Sequence, residues 1–432
     1  MNYMPGLRSL VLDDPIHEQI DLTGVQPIHD SPTMQKHRWV NQLGGAYFIW
    51  RSALGRRLEH AGGTAYITYL RAMWLYDKGL ISLYDVWVAV AAALVHDAGH
   101  WAFSHILERC FGDHNERGFE LVLSELAPYI RMSGIRPGID PHEVLAVLQG
   151  NHILSHLIKP NPIGADKLDY LARDLWYLTG NKVKLGGLYT QLVDWDRKVG
   201  LYVKQDGKDM AIKAVQTSLE NFTNYYEHPR MRVVQRPIQE LIRLMVDNDS
   251  VIRERIFDAG EDEIMGSIGY WCAKPENRNH ECADRHRRLL VHDYPKKAFL
   301  LTPWPSYVSL NSDDELAKLE CDESFLKQTE EWSVEHVAEV EGRIAEALGT
   351  NRSAVSLAVS PPAARWQLPK VPIWDKGEIS LLGDVMPELH ENAKGYAKQA
   401  CNVIVAVDSK LRPKLACDTG AQAVVRQILE SA

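Results

Sequence analysis

Apolar residues recur at helical spacing through most of the first 255 positions. Segments such as TAYITYLRAMWLYDKGL, LYDVWVAVAAALVHD, HEVLAVLQGNHIL and DKLDYLARDLWYL all show it, so a predominantly helical stretch is expected from about Thr33 to Arg255. The residues before it carry Pro15, Pro27 and Pro32, which predict extended chain and turns. LYVKQDGKDMAI alternates around a glycine and predicts a short hairpin. After about residue 256 the texture changes. AFLLTPWPSYVSL, SAVSLAVSPPAARW and NVIVAVDS read as strands, while VEHVAEVEGRIAEALG and AQAVVRQILES read as helices. The expected fold is mainly α. An extended segment over 1–32 precedes a helical domain over 33–289 and a smaller mixed α/β lobe over 290–432, divided near the polar stretch AKPENRNHECADRHRR.

The 432 residues suffice for a large core and two lobes. A net charge of -9 argues against a protein coated in basic surface for duplex nucleic acid, while leaving room for a local basic pocket. The longest apolar run, Val86 to Val95, is too short to span a bilayer and reads as a buried helix. MNYMPGLRSL has no apolar signal core. Six sparse cysteines without a CxxC pair fit a reduced, cytoplasmic setting. Cys272, His280, Cys282 and His286 lie close in sequence, but their spacing fits no standard zinc finger.

The strongest chemical signal is HDAGH, His96 to His100, at the end of that apolar run. A buried His-Asp pair is expensive unless it is paired or bound to metal. RRLEHAGG adds His60 at the head of the preceding helix, and DKLDYLARD adds Asp166 on a later one. Two imidazoles and two carboxylates suit Fe, Mn, Mg, Co or Zn. Taken singly, His96 and Asp97 could be scattered polar residues at a helix end. Asp166, Tyr170 and Asp174 recur every four residues, so they share one helix face. Beside the metal residues, that stripe suits a nucleoside phosphate; alone, it would read as an ordinary amphipathic face.

These blocks resemble the HD-domain deoxynucleoside triphosphate triphosphohydrolases, from about residue 10 to 255. DDPIHEQIDL, QLGGAYFIWRSALGRRLEHAGG, HDAGHWAFSH, DKLDYLARD and EHPRMR follow the family's order, with Trp101 and Ala102 replacing a usual small residue and proline. The resemblance implies an HD-domain helical core, with His60, His96, Asp97 and Asp166 holding a divalent metal (Fe, Mn, Mg or Co). It implies that His105 and Glu108 activate water and that His100 and His114 face the phosphates and protonate the leaving oxygen. Arg57, Lys167 and Arg230 would clamp the triphosphate. Tyr170 and Asp174 would recognise the sugar, with Gln42 and Leu43 near sugar and base. Without the resemblance, Arg57, Lys167 and Arg230 would read as solvated charges, His105 and Glu108 as a surface pair, and His114 as a loop histidine.

The resemblance also matches Asp30, Gln35 and Arg38 to a guanine-reading activator site. Leu10 stands where a phosphate-binding lysine is expected, and Asp30 could instead cap a helix that begins at Pro32. A GTP or dNTP activator and a homo-oligomer, tetramer or hexamer, are the corresponding expectations. The implied reaction releases deoxynucleoside and inorganic triphosphate from a dNTP. Nucleotide-pool control, dNTP depletion during phage infection (an antiviral defence) and salvage would all use the same pocket. Two alternatives stand beside it. One is HD chemistry on a deoxynucleoside monophosphate, ppGpp or a cyclic nucleotide. The other is a non-catalytic nucleotide-binding or single-strand-binding protein.

Overall fold

A computed structural model describes residues 4–159, 163–308 and 317–432. Strands β1 (Val11–Asp14) and β2 (Glu18–Asp21) form an antiparallel hairpin near the N-terminus. Short helical turns follow, and Ile20, Leu22, Val25 and Ile28 are buried in the helical core. Proline therefore shapes this segment without keeping it off the body of the protein.

Two long helices carry the centre. They are α1 (Arg57–Asp77) and α2 (Leu83–Val95). Ser82 caps α2, accepting from the Asp85 N–H at 3.1 Å while the Asp85 carboxylate accepts from the Ser82 N–H at 2.8 Å. Every residue from Val86 to Val95 is buried, as an apolar helix without a polar face must be. The helical body continues with α3 (His114–Leu123), α4 (Ala165–Thr179), α5 (Lys208–Asn221), α6 (Pro229–Asn248), α7 (Glu261–Ala273) and α8 (Glu281–Leu290).

The rest is mixed α/β, as the sequence predicts. One sheet has the order β6 (Ala317–Glu320), β5 (Lys296–Thr302), β10 (Val403–Val407) and β7 (Val355–Ala358). Helices α9 (Val334–Ala347), α10 (Glu388–Ala400) and α11 (Thr419–Glu430) accompany it. A second sheet joins β3 (Val193–Asp196) and β4 (Gly200–Val203) to β8 (Pro372–Asp375) and β9 (Glu378–Leu381). Val203 pairs with Ile373 in parallel, so this sheet draws strands from both sides of residue 290. One apolar cluster likewise runs from Ile67 and Leu168 to Phe299 and Val405.

Three local readings change. LYVKQDGKDMAI is not a hairpin. The turn falls earlier, where Asp196 Oδ1 accepts from the N–H groups of Lys198 and Val199, and α5 begins at Lys208. In SAVSLAVSPPAARW only Val355–Ala358 is strand, before the Pro361–Pro362 pair and a short 3-10 turn, Ala363–Trp366. The strand read at AFLLTPWPSYVSL ends at Thr302, and its last two residues lie outside the described ones. Cys272 and Cys282 are buried in an apolar cluster, and no metal-ligating group forms around them among the described residues. No described helix is long and apolar enough to cross a membrane.

Candidate active site

Three helix ends bring together four side chains that could ligate a metal. His60 lies in the first turn of α1, His96 and Asp97 follow the last residue of α2, and Asp166 lies in the first turn of α4. The ligand atoms of His60, His96 and Asp97 all fall within 4.8 Å of one another. Asp166 Oδ1 lies 3.2 Å from His60 Nε2 and 3.5 Å from His96 Nε2.

The ring orientations fit a cation. His60 donates from Nδ1 to Asp169 Oδ2 at 2.8 Å, and His96 donates from Nδ1 to the Ala93 carbonyl at 2.7 Å. Each ring is thereby fixed with its bare Nε2 turned inward. Both Nε2 atoms are buried and have no hydrogen-bond partner among the described residues. Orphaned buried acceptors are costly, and a metal ion satisfies them. Burial opposes ionisation of Asp97 and Asp166, but the basic side chains beside them outweigh it. His96 and Arg57 hold Asp97 well below the usual carboxylate range, and His60 and His96 do the same for Asp166. Burial also works against a charged His60, yet the Asp166 and Asp169 carboxylates favour a proton on its ring, one that a cation at Nε2 would replace. Metal uptake there therefore displaces a proton and weakens in acid.

A second histidine group adjoins the first. His105 donates from Nδ1 to Glu108 Oε1 at 2.9 Å, and His114 Nδ1 donates to the same oxygen. Those contacts hold Glu108 down at about 2 despite its burial. His114 opens α3 rather than lying in a loop, and its ring stacks on His100 at 3.7 Å. His100 is fully buried, and burial keeps its pKa well below the ordinary value. A methyl on Gly99 would collide with the His114 carbonyl, so the glycine of HDAGH lets α3 approach the metal residues.

His105 and Glu108 open onto a cavity of about 650 Å³ that is also lined by Tyr170, Asp174, Gln42 and Leu43. That volume suits a small organic ligand. Asp174 is buried, which pushes its carboxyl up to about 6, and it accepts from the Tyr226 hydroxyl at 2.7 Å. The Tyr170 ring stands 6.3 Å from that of His60, linking cavity and metal residues. Arg57 is buried beside them. It donates to Asp97 and to Ser104 Oγ, and its Nη2 has no partner among the described residues.

The other expected cations are placed differently. Lys167 is half-buried next to Asp166 and does not line the cavity. Arg230 is exposed in the first turn of α6 and is not among the lining residues, because that turn directs Met231 and Arg232 inward instead. Asp30, Gln35 and Arg38 form one surface patch. Gln35 accepts from Arg38 at 3.0 Å and donates to the His29 carbonyl at 2.8 Å, beside the exposed Asp30. Ser31, not Asp30, caps the helix that starts at Pro32.

Several supporting residues lie inside the motif blocks without having been singled out there. Asp169 accepts from His60, from His17 Nε2 at 2.7 Å and from Arg173 at 2.8 and 2.9 Å, while Arg173 also holds Asp14. A methyl on Gly63 would strike the Asp169 carboxylate, so EHAGG leaves room for it. Asp169→Asn is expected to lower metal affinity about 10- to 100-fold, read by metal titration, because it weakens the acceptor that orients His60. Unchanged affinity would remove Asp169 from that role.

Glu261, from α7, has no sequence signal at all. Its buried carboxylate accepts from the N–H groups of Asn41 at 3.0 Å and Phe103 at 3.1 Å, and from the Asn41 side chain. Phe103 and Ser104 are both left-handed, with φ of 62° and 54°, just before His105. Ser104 donates to the Asn41 carbonyl at 2.6 Å, so Glu261 and Ser104 tie this turn to the Gln42 loop. Burial pushes the Glu261 carboxyl up to about 8 from 4.5. Such a group stabilises the fold fully below its unfolded pKa and loses that contribution as pH rises through the folded one. Glu261→Gln should therefore flatten the fall of thermal midpoint between about pH 4.5 and 8, the interval between the two pKa values. An unchanged slope would assign the fall to another group.

No protein-family model matches the chain. It is 29% identical to human deoxynucleoside triphosphate triphosphohydrolase SAMHD1 over 210 residues, which is 39% of this chain and 33% of that protein. It is 26% identical to an uncharacterised protein of Methanocaldococcus jannaschii over 321 residues, 70% of this chain and 64% of that one. A Bacillus subtilis protein, also uncharacterised, is 30% identical over 234 residues, about half of each chain. The chain thus spans less than two thirds of the human and archaeal relatives. Among solved structures, a Bacteroides thetaiotaomicron phosphohydrolase superposes with TM-score 0.67 over 92% of this chain and 99% of its own. A hypothetical protein of Aquifex aeolicus gives 0.68 over 95% and 99%. Both are 16% identical, so they establish a common fold.

Proposed function

We propose that the chain is a member of the HD-domain, dNTP triphosphohydrolase-like family, and that it hydrolyses deoxynucleoside triphosphates to deoxynucleoside and inorganic triphosphate. The observation that carries this reading is the pair of bare, buried Nε2 atoms of His60 and His96 facing Asp97 and Asp166, next to a cavity of nucleotide size. These four residues would hold Fe, Mn, Mg or Co. Once bound, such a cation polarises a phosphoryl oxygen and makes water a better nucleophile.

The chain's own groups do the rest. Glu108 orients His105, which is exposed to the cavity and takes the proton of the attacking water. The same carboxylate fixes His114, which gives a proton to the departing 5′-oxygen. Fully buried His100 backs the His114 ring. Arg57 offers its unpaired Nη2 to phosphate, which is electrostatic work in a dry site. Tyr170 and Asp174 meet the sugar, and Gln42 and Leu43 the base side. The Asp30–Gln35–Arg38 patch would take a GTP or dNTP activator, in a homo-oligomer located in the cytoplasm.

The test is chromatographic product analysis with each dNTP and Mg or Mn, with and without GTP, beside Asp97→Ala. Deoxynucleoside plus intact triphosphate from the wild type alone is the expected result. No turnover by metal-loaded protein in any mixture would overturn the reaction.

A further inference from the structure

The cavity has a second wall, made by residues 357–365 of the C-terminal part. This wall is held from behind. Arg232, buried on α6, donates to the carbonyls of Ala358 at 3.2 Å and Val359 at 2.7 Å. The Leu357 N–H donates to Glu341 Oε1 at 2.9 Å, and Arg236 holds that carboxylate at 2.9 and 3.0 Å. The wall ends in the short turn Ala363–Trp366. Its Trp366 is 2% exposed and donates its indole N–H to Thr223 Oγ1 at 3.1 Å. Arg365 therefore stands on an anchored turn at the cavity edge.

The cavity's arginines differ in what they have left to give. Arg232 and Arg236 are committed to backbone carbonyls and buried carboxylates. Arg365 is held by one carboxylate, that of Glu227, and its side chain is 48% exposed. It lines the cavity together with His105, Glu108 and Arg109, and Glu108 favours its charge. Arg230, the cation expected for this task, does not line the cavity.

We propose that Arg365 is an anion-binding arm supplied by the C-terminal lobe, which leaves Glu227 to grip the polyphosphate of the substrate. The inference rests on the reading of this cavity as a triphosphohydrolase site. A planar guanidinium takes two phosphate oxygens at once, and exchanging a carboxylate for a polyphosphate keeps its charge matched. Residues 290–432 thus become part of the substrate site rather than an appendage to it.

The experiment compares wild type, Arg365→Ala and Arg365→Lys in the full-length, metal-loaded protein. It measures binding of inorganic tripolyphosphate by calorimetry, and kcat and KM for a dNTP. Arg365→Ala is expected to weaken tripolyphosphate binding at least about tenfold and to raise KM more than it lowers kcat. Arg365→Lys should recover part of the affinity, since it restores charge without the two-pronged geometry. Equal tripolyphosphate binding by wild type and Arg365→Ala, in a protein that hydrolyses dNTPs, overturns the proposal and leaves the reaction standing. A wild type that binds tripolyphosphate through Arg365 but turns over no dNTP overturns the reaction and leaves the anion arm standing.

Discussion

Asp166→Asn is expected to strip the bound metal and to lower turnover at least about a thousandfold, roughly 4 kcal/mol of barrier, with the fold intact. Asp166 faces the Nε2 atoms of His60 and His96 at 3.2 and 3.5 Å from the first turn of α4. Asparagine keeps the size of the side chain and loses the charge, so packing is preserved while one anionic ligand disappears. Metal analysis of the purified variant, thermal melting and product release together decide the matter. Stoichiometric metal with undiminished turnover would dismiss Asp166 as a ligand. Replacing Asp97 instead would mix two effects, since Asp97 also neutralises buried Arg57.

Arg232→Ala is expected to cost about 3–5 kcal/mol of stability and to loosen the cavity's second wall. One guanidinium serves the carbonyls of Ala358, Val359, Ala400 and Asn402 and the Asn402 side chain, at 2.5 to 3.2 Å. Truncation leaves these acceptors buried without a donor, which is the expensive direction. The Arg232→Lys variant should restore only a minority of the loss, because one ammonium cannot span acceptors on two strand ends. Urea denaturation gives the stability, and KM reports the wall. A midpoint close to wild type in Arg232→Ala would mean that the clamp contributes little.

The helical body and the C-terminal α/β texture were legible in the chain itself, and the four candidate metal ligands could be picked out there. HDAGH, EHAGG and DKLDYLARD place their chemistry within a turn or two of helix, where spacing alone determines direction. Asp169, Arg173 and the glycines at 63 and 99 lie in the same blocks, but their tasks show only in contact. Asp169 meets His17 from 152 positions away, and a methyl at Gly63 would displace it. Local logic could not tell which residues of the helical turn at Arg230 face the cavity, which is lined by Met231 and Arg232. It failed again at LYVKQDGKDMAI, where side-chain acceptance by Asp196 moved the turn.

The sequence by itself determined which residues could bind a cation and on which helices they ride, because those constraints repeat every three or four positions. Only the tertiary structure decided that Glu261 anchors the turn before His105, that Arg232 clamps the second wall, and that Arg365 stands at the cavity edge. Each of these depends on partners more than a hundred residues away. Such meetings are set by how whole helices and sheets pack, and no short-range periodicity in the chain records them.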